Sequence, residues 1–99
     1  MKEKWLLLSL IGFLISCSKQ ESMDALTARV FTVAEQQYLT MDTRLEVTTL
    51  PQSIASDSTF KSSTIYWWCS GFYPGSLWYI YEYTQNEAVK TLAEKNTLK

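Results

Sequence analysis

The chain has 99 residues, 9 basic against 10 acidic, for a formal charge of -1; that balance offers no basic field to a phosphate backbone, so no nucleic-acid partner is expected. Histidine is absent, which removes the commonest metal ligand; no metal site is expected, and nothing calls for another cofactor. Aromatic residues make up 14% of the chain and crowd between Phe60 and Tyr83, the composition of a folded segment with a local concentration of ring surface.

Lys2 and Lys4 precede an apolar run from Leu6 to Ile15. This is the charged start and short hydrophobic stretch of an export signal, well under the roughly 20 residues that a spanning helix needs. The run ends in Leu14-Ile15-Ser16-Cys17, which resembles the lipobox of bacterial lipoproteins: an aliphatic residue three before the cut, a small one just before it, then the acylated cysteine. The expectation is a signal peptide over residues 1–16, lipid on Cys17, and a tether over residues 17–22. Each buried methylene of an acyl chain contributes about 0.8 kcal/mol, so several chains on one cysteine hold a protein to a bilayer without a spanning helix. The expected location is the bacterial cell envelope, with Ser18 after the cysteine compatible with the outer membrane. With its sulfur in a thioether, Cys17 cannot pair with Cys69, and Cys69 is expected as a free thiol.

From Ser22 onward, Leu26, Val30, Val33, Tyr38, Met41 and Leu45 recur at close to helical spacing and predict a helix from about Met23 to Leu45. Ser22 suits its N-cap, Asp24 its first turn and Arg44 its last. Between Glu46 and Thr64 the periodicity fails; Pro51 and many Ser and Thr residues predict an irregular connection with room for short extended pieces. A connection of that length in a compact domain points to a functional surface or a spacer. Trp67 to Gly75 is turn-forming. Ser76 onward predicts a second helix with Leu77, Ile80, Tyr81 and Thr84 on one side, broken at Thr84-Gln85-Asn86; Asn86 caps a third from Glu87 to about Asn96, with Ala88, Leu92 and Ala93 as its stripe. Three amphipathic helices predict an all-α helical hairpin array.

The segment from Trp67 through Trp68, Cys69, Ser70, Gly71, Phe72, Tyr73, Pro74, Gly75, Ser76, Leu77, Trp78, Tyr79, Ile80 and Tyr81 to Glu82 resembles the early signature of glycoside hydrolase family 88, the unsaturated glucuronyl hydrolases. Tyr83-Thr84, the preceding helix and a Leu50-Pro51 turn fit the same order and spacing, so the resemblance covers most of residues 23–99. Read without the family, Gly71 and Gly75 permit backbone conformations or close approaches closed to larger residues, and Pro74 stiffens the start of the helix. Trp68 is the candidate substrate-binding residue: a flat indole beside a glycine-rich turn suits the apolar face of a sugar ring, and it matches the substrate-facing tryptophan of the family. The competing reading is a core tryptophan. Trp78, Tyr79 and Tyr81 are assigned to packing; Tyr73 is left open between the two roles. Trp67 stands where many relatives carry an acidic residue, and Gln52 where an arginine is frequent.

The resemblance implies an (α/α)6 toroid of which this chain holds the first helices. It also implies release of a 4,5-unsaturated uronic acid from the non-reducing end of lyase-generated oligosaccharides by hydration of the vinyl ether, with an aspartate of perturbed pKa as acid and base. The family's aspartate motifs are not among these residues. The mature carboxylates, Asp42 and Glu35 included, are assigned to solvated helix charge. The chain is therefore expected to be a truncated member, without a catalytic residue of its own, inactive alone and exposing apolar surface. The alternatives are a small non-catalytic helical lipoprotein that binds a glycan or a partner, and a piece of an unsaturated rhamnogalacturonyl hydrolase. The sequence leaves the particular oligosaccharide open.

Overall fold

The structure is a computed structural model that describes residues 20–99; the expected signal peptide and Cys17 lie outside the described residues. Helix α1 spans Met23–Asp42, strands β1 (Thr49–Ile54) and β2 (Phe60–Thr64) follow, and helices α2 (Phe72–Thr84) and α3 (Glu87–Thr97) complete the order. The all-α expectation is corrected: three helices share the chain with a two-stranded antiparallel sheet. A toroid is not seen in this arrangement. None of the described helices is long and apolar enough to cross a membrane.

Ser22 caps α1 as expected, accepting the Ala25 N–H at 3.2 Å, and Asp24 lies in the first turn. The helix stops at Asp42 rather than Leu45. Arg44 and Leu45 then donate their N–H groups to Met41 and Asp42 carbonyls only three residues back, so the chain winds out of the helix in a tightened turn and Arg44 falls beyond its end. The buried stripe is also displaced: Phe31, Ala34, Tyr38, Leu39, Met41 and Leu45 pack against the core, while Val30 and Val33 are exposed.

The segment read as an irregular connection folds into the hairpin. Thr49 pairs with Thr64, Leu50 with Ser63, Pro51 with Ser62, and Ile54 with Phe60, with a bulge at Gln52 between Pro51 and Ser53. Leu50-Pro51 is thus strand, not turn. Pro51 is tolerated because each strand of a two-stranded sheet has an unpaired edge. A three-residue loop closes the hairpin: Ala55 donates to Thr59 O at 2.9 Å, Ser58 donates back to Ala55 O at 2.9 Å, and Ser58 takes the left-handed φ of 66° that such loops require. The Asp57 carboxylate accepts both the N–H and the hydroxyl of Thr59, which overrides helix formation locally and fixes the turn.

Helix α2 begins four residues before the expected Ser76. Pro74 does not stop it, because the first-turn amides have no helical acceptor to lose; the Gly75 N–H makes the early helical bond to Gly71 O at 3.1 Å. Gln85 ends α2 in the left-handed region, and Asn86 caps α3 through the Ala88 N–H at 2.9 Å. Leu77, Ile80 and Tyr73 from α2 meet Val89 and Ala93 from α3 and Leu50 from β1. Val89, not Ala88, carries the α3 stripe, since 89, 93 and 96 follow one face at helical spacing. Full burial of Leu77 and Val89 contributes about 1.5–3 kcal/mol each.

Candidate functional site

Between β2 and α2 the chain turns through successive tight bends. Trp67 N–H donates to Thr64 O at 3.1 Å, Ser70 to Trp67 O at 2.9 Å and Phe72 to Cys69 O at 3.1 Å. Bends of this kind throw their central side chains outward. Trp68 is 81% exposed and Tyr66 is exposed beside it in sequence, while Trp67 is half-buried with its ring 5.8 Å from that of Trp68 and tilted by 60°. Within residues 20–99, Trp68 is not part of the core. Phe72 and Tyr79, seven residues apart on one face of α2, are also exposed.

The two glycines behave differently from expectation. No glycine among the described residues has a positive φ, and a Cβ placed on Gly71 or Gly75 would meet nothing within 4 Å. Neither the local backbone nor a neighbouring group within this chain demands glycine there. What the glycines leave is open space at the head of α2.

The other aromatic side chains divide. Tyr79 is at the surface, contrary to its assignment to packing. Trp78 donates its Nε1–H to Thr97 Oγ1 at 3.0 Å and lies edge-on to Tyr81 at 6.2 Å, tying α2 to the end of α3. Tyr73 is buried, stacked on Tyr38 at 5.5 Å, its hydroxyl 3.5 Å from Tyr38 O. Burial, with Asp42 and Tyr38 adding to it, pushes its phenol well above the usual range, so it stays protonated and structural. Tyr83 stacks on Phe31 at 4.0 Å.

Asp42 is not a solvated helix charge. It is 8% exposed and accepts from Lys95 Nζ at 2.8 Å and Asn96 Nδ2 at 2.9 Å, bridging α1 to α3. Burial acts to raise its pKa, but the bonds from Lys95 and Asn96 and the charges of Lys95 and Lys99 outweigh it and hold the carboxyl below the ordinary range. A general acid needs the opposite displacement. Asp57, held by Thr59, and Glu21, held by Arg29, are likewise displaced downward. Glu35 accepts from Asn86 Nδ2 at 2.8 Å, a second tie between α1 and α3 that its helix position alone did not reveal. Cys69 is a half-buried free thiol. Among the described residues no group of three His, Cys, Asp or Glu side chains could hold a metal ion.

Comparison with known proteins adds one short stretch. Over 31 residues the chain is 52% identical to an unsaturated chondroitin disaccharide hydrolase of Streptococcus pneumoniae (strain ATCC BAA-255 / R6), and that stretch takes in 31% of this chain and 8% of the other. No family model matches the chain, and no solved structure matches it. The likeness is consistent with a piece of a glycoside hydrolase, and it spans less than a tenth of the hydrolase it matches.

Proposed function

We propose that residues 23–99 are part of the sugar-facing scaffold of a glycoside hydrolase of family 88 type, acting on oligosaccharides with a non-reducing 4,5-unsaturated uronic acid, and that Trp68 is the platform for a sugar ring. The observation that carries this reading is the placement of Trp68: an indole 81% exposed, in the bends that lead into α2, where Gly71 and Gly75 leave their side-chain space open. An exposed large aromatic face is unfavourable in water unless something covers it, and a pyranose presents a matching apolar face. Covering about 100 Å² of indole is worth about 2.5 kcal/mol.

The carboxyl that protonates the vinyl ether belongs, on this reading, to motifs outside residues 20–99, because Asp42 is ionised and committed to Lys95 and Asn96. The chain alone then binds without turning over. Titration of the full chain with unsaturated chondroitin disaccharide, followed by tryptophan fluorescence, tests this: Trp68→Ala is expected to weaken binding by about tenfold or more. Equal binding by the variant overturns the platform role, and release of unsaturated uronate by the chain overturns the absence of a catalyst.

The same reading places the protein in the bacterial envelope, held by lipid on Cys17. Metabolic labelling with palmitate is expected to mark the wild type and to be lost in Cys17→Ser; label retained in that variant refutes the anchor.

A further inference from the structure

Residues 43–48 join the end of α1 to β1, and both ends of this connection are fixed. At one end Asp42 is buried and bonded to Lys95 and Asn96; at the other, β1 carries Leu50 into the core. Between them the connection bonds mainly to itself and to the last turn of α1. Arg44 and Leu45 donate to Met41 O and Asp42 O, the Thr49 N–H donates to Glu46 O at 3.2 Å, and the Glu46 N–H donates to Thr49 Oγ1 at 3.1 Å. Leu45 packs against the core, but Val47 is 83% exposed. Among the described residues, the side chain that reaches this connection from a distant part of the chain is Lys99, whose Nζ donates to Thr49 O at 2.9 Å and to Glu46 O at 3.3 Å. A cleft of about 380 Å³ lies against the connection, with Leu45, Val47, Thr48, Ile65, Leu98 and Lys99 in its lining.

We propose that residues 43–48 form a strap latched by the Lys99 ammonium, and that the strap swings away from this cleft while α2 and α3 stay folded. Release returns one ammonium and two carbonyls to water, so it costs about as much as one charge-assisted hydrogen bond and not as much as opening a core. The freed backbone gains conformational entropy, which favours release. The latch is also held against opposing forces: burial of the ammonium and the nearby charge of Lys95 hold its pKa below the ordinary lysine range, with the Asp42 carboxylate acting the other way. Because Asp42 and Leu50 stay fixed, the motion is confined to the residues between them. None of the residues of the latch belongs to the turn that carries Trp68, so the strap stands or falls apart from the sugar platform.

The test is amide hydrogen exchange on the full chain. The Leu45 and Thr49 amides, bonded to Asp42 O and Glu46 O, report the strap, and the amides of Ile80 and Ala93 report the helical core. In the wild type, exchange at Leu45 and Thr49 is expected to be faster than in the core and nearly independent of low urea, the mark of an opening that exposes little surface. Lys99→Met keeps the apolar stem and removes the donors; it is expected to speed exchange at Leu45 and Thr49 by about tenfold, the loss expected when one net charge-assisted bond is missing, and to leave Ile80 and Ala93 unchanged. Lys99→Arg is expected to keep part of the protection. Unaltered exchange at Leu45 and Thr49 in Lys99→Met overturns the latch. Equal acceleration at Ile80 and Ala93 overturns the separate strap, as does wild-type exchange at Leu45 and Thr49 that depends on urea as steeply as the core does.

Discussion

The paired helices α2 and α3 and the hairpin with its following turn use a similar stock of aromatic and aliphatic residues to opposite ends. Between α2 and α3, Leu77, Ile80, Val89 and Ala93 close on one another, and Asp42 is held by Lys95 and Asn96 and Asn86 by Glu35, while Asn96 Oδ1 is buried without a partner among the described residues. In the hairpin and the turn after it, Ile54, Tyr66 and Trp68 stand exposed. The helical pair supplies a fixed base, and the elements built on short-range turn bonds leave their apolar side chains at the surface of residues 20–99.

That division is most severely tested in the helical pair. Leu77 has no exposed surface, so Leu77→Ala removes apolar burial and leaves a cavity that rigid neighbours cannot fill; the expected loss is about 3–5 kcal/mol, read from urea unfolding. For a domain this small such a loss approaches its whole stability. A loss below about 1 kcal/mol means that the helices do not form a shared core. Asp42→Ala comes next, at about 1–3 kcal/mol, since it takes one of two acceptors from the Asn96 amide, Leu92 O remaining, and the counterion from the Lys95 ammonium, which is still half in water. Its pH dependence follows from the sign of the shift. The folded carboxyl is held below its ordinary range, so its contribution is present above the unfolded value near about 4 and is lost as pH falls through the folded one. Acid titration of stability is expected to show this limb in the wild type and a flatter one in the variant.

The two regions also differ in how far the sequence discloses them. In α2 and α3 the apolar residues repeat at a single helical period, and Asn86 and Gln85 mark the boundary between the helices, so both helices follow from the pattern. The start at Glu87 follows too, from its Asn86 cap; that of α2 does not, because Pro74 and Gly75 read as turn although both fit the first turn of a helix that opens at Phe72. Along α1 the residues Val30, Phe31, Val33 and Ala34 offer two nearly equivalent stripes, and only the position of Tyr83 and Tyr73 across from Phe31 and Tyr38 decides which is buried. The hairpin is hidden for a different reason. Its strands are made largely of Ser and Thr, with one proline and a bulge, and they lack alternating apolar residues. Of the candidate site, the exposure of Trp68 is what its place in a bend suggests, since a tryptophan there has few neighbours to bury it. The end of α1 is not legible, because Arg44 read as a last-turn charge carries the helix past Asp42, where it stops.

Ser58 offers the smallest and finest probe of the comparison. Its φ of 66° places a side chain where an L-residue is disfavoured by about 1 kcal/mol, whereas glycine adopts that conformation freely. Part of the relief is returned because glycine gives the unfolded chain more freedom, so Ser58→Gly is expected to stabilise the loop by about 0.5 kcal/mol. If the hairpin melts together with α2 and α3 through Leu50, its contribution to the common core, the midpoint rises by about 2–4 °C for the whole molecule. If the midpoint stays put while amide exchange slows only at Ala55 and Thr59, the hairpin opens on its own above a standing helical core. In that case the division between a fixed base and a responsive edge extends from where residues are buried to how the molecule moves.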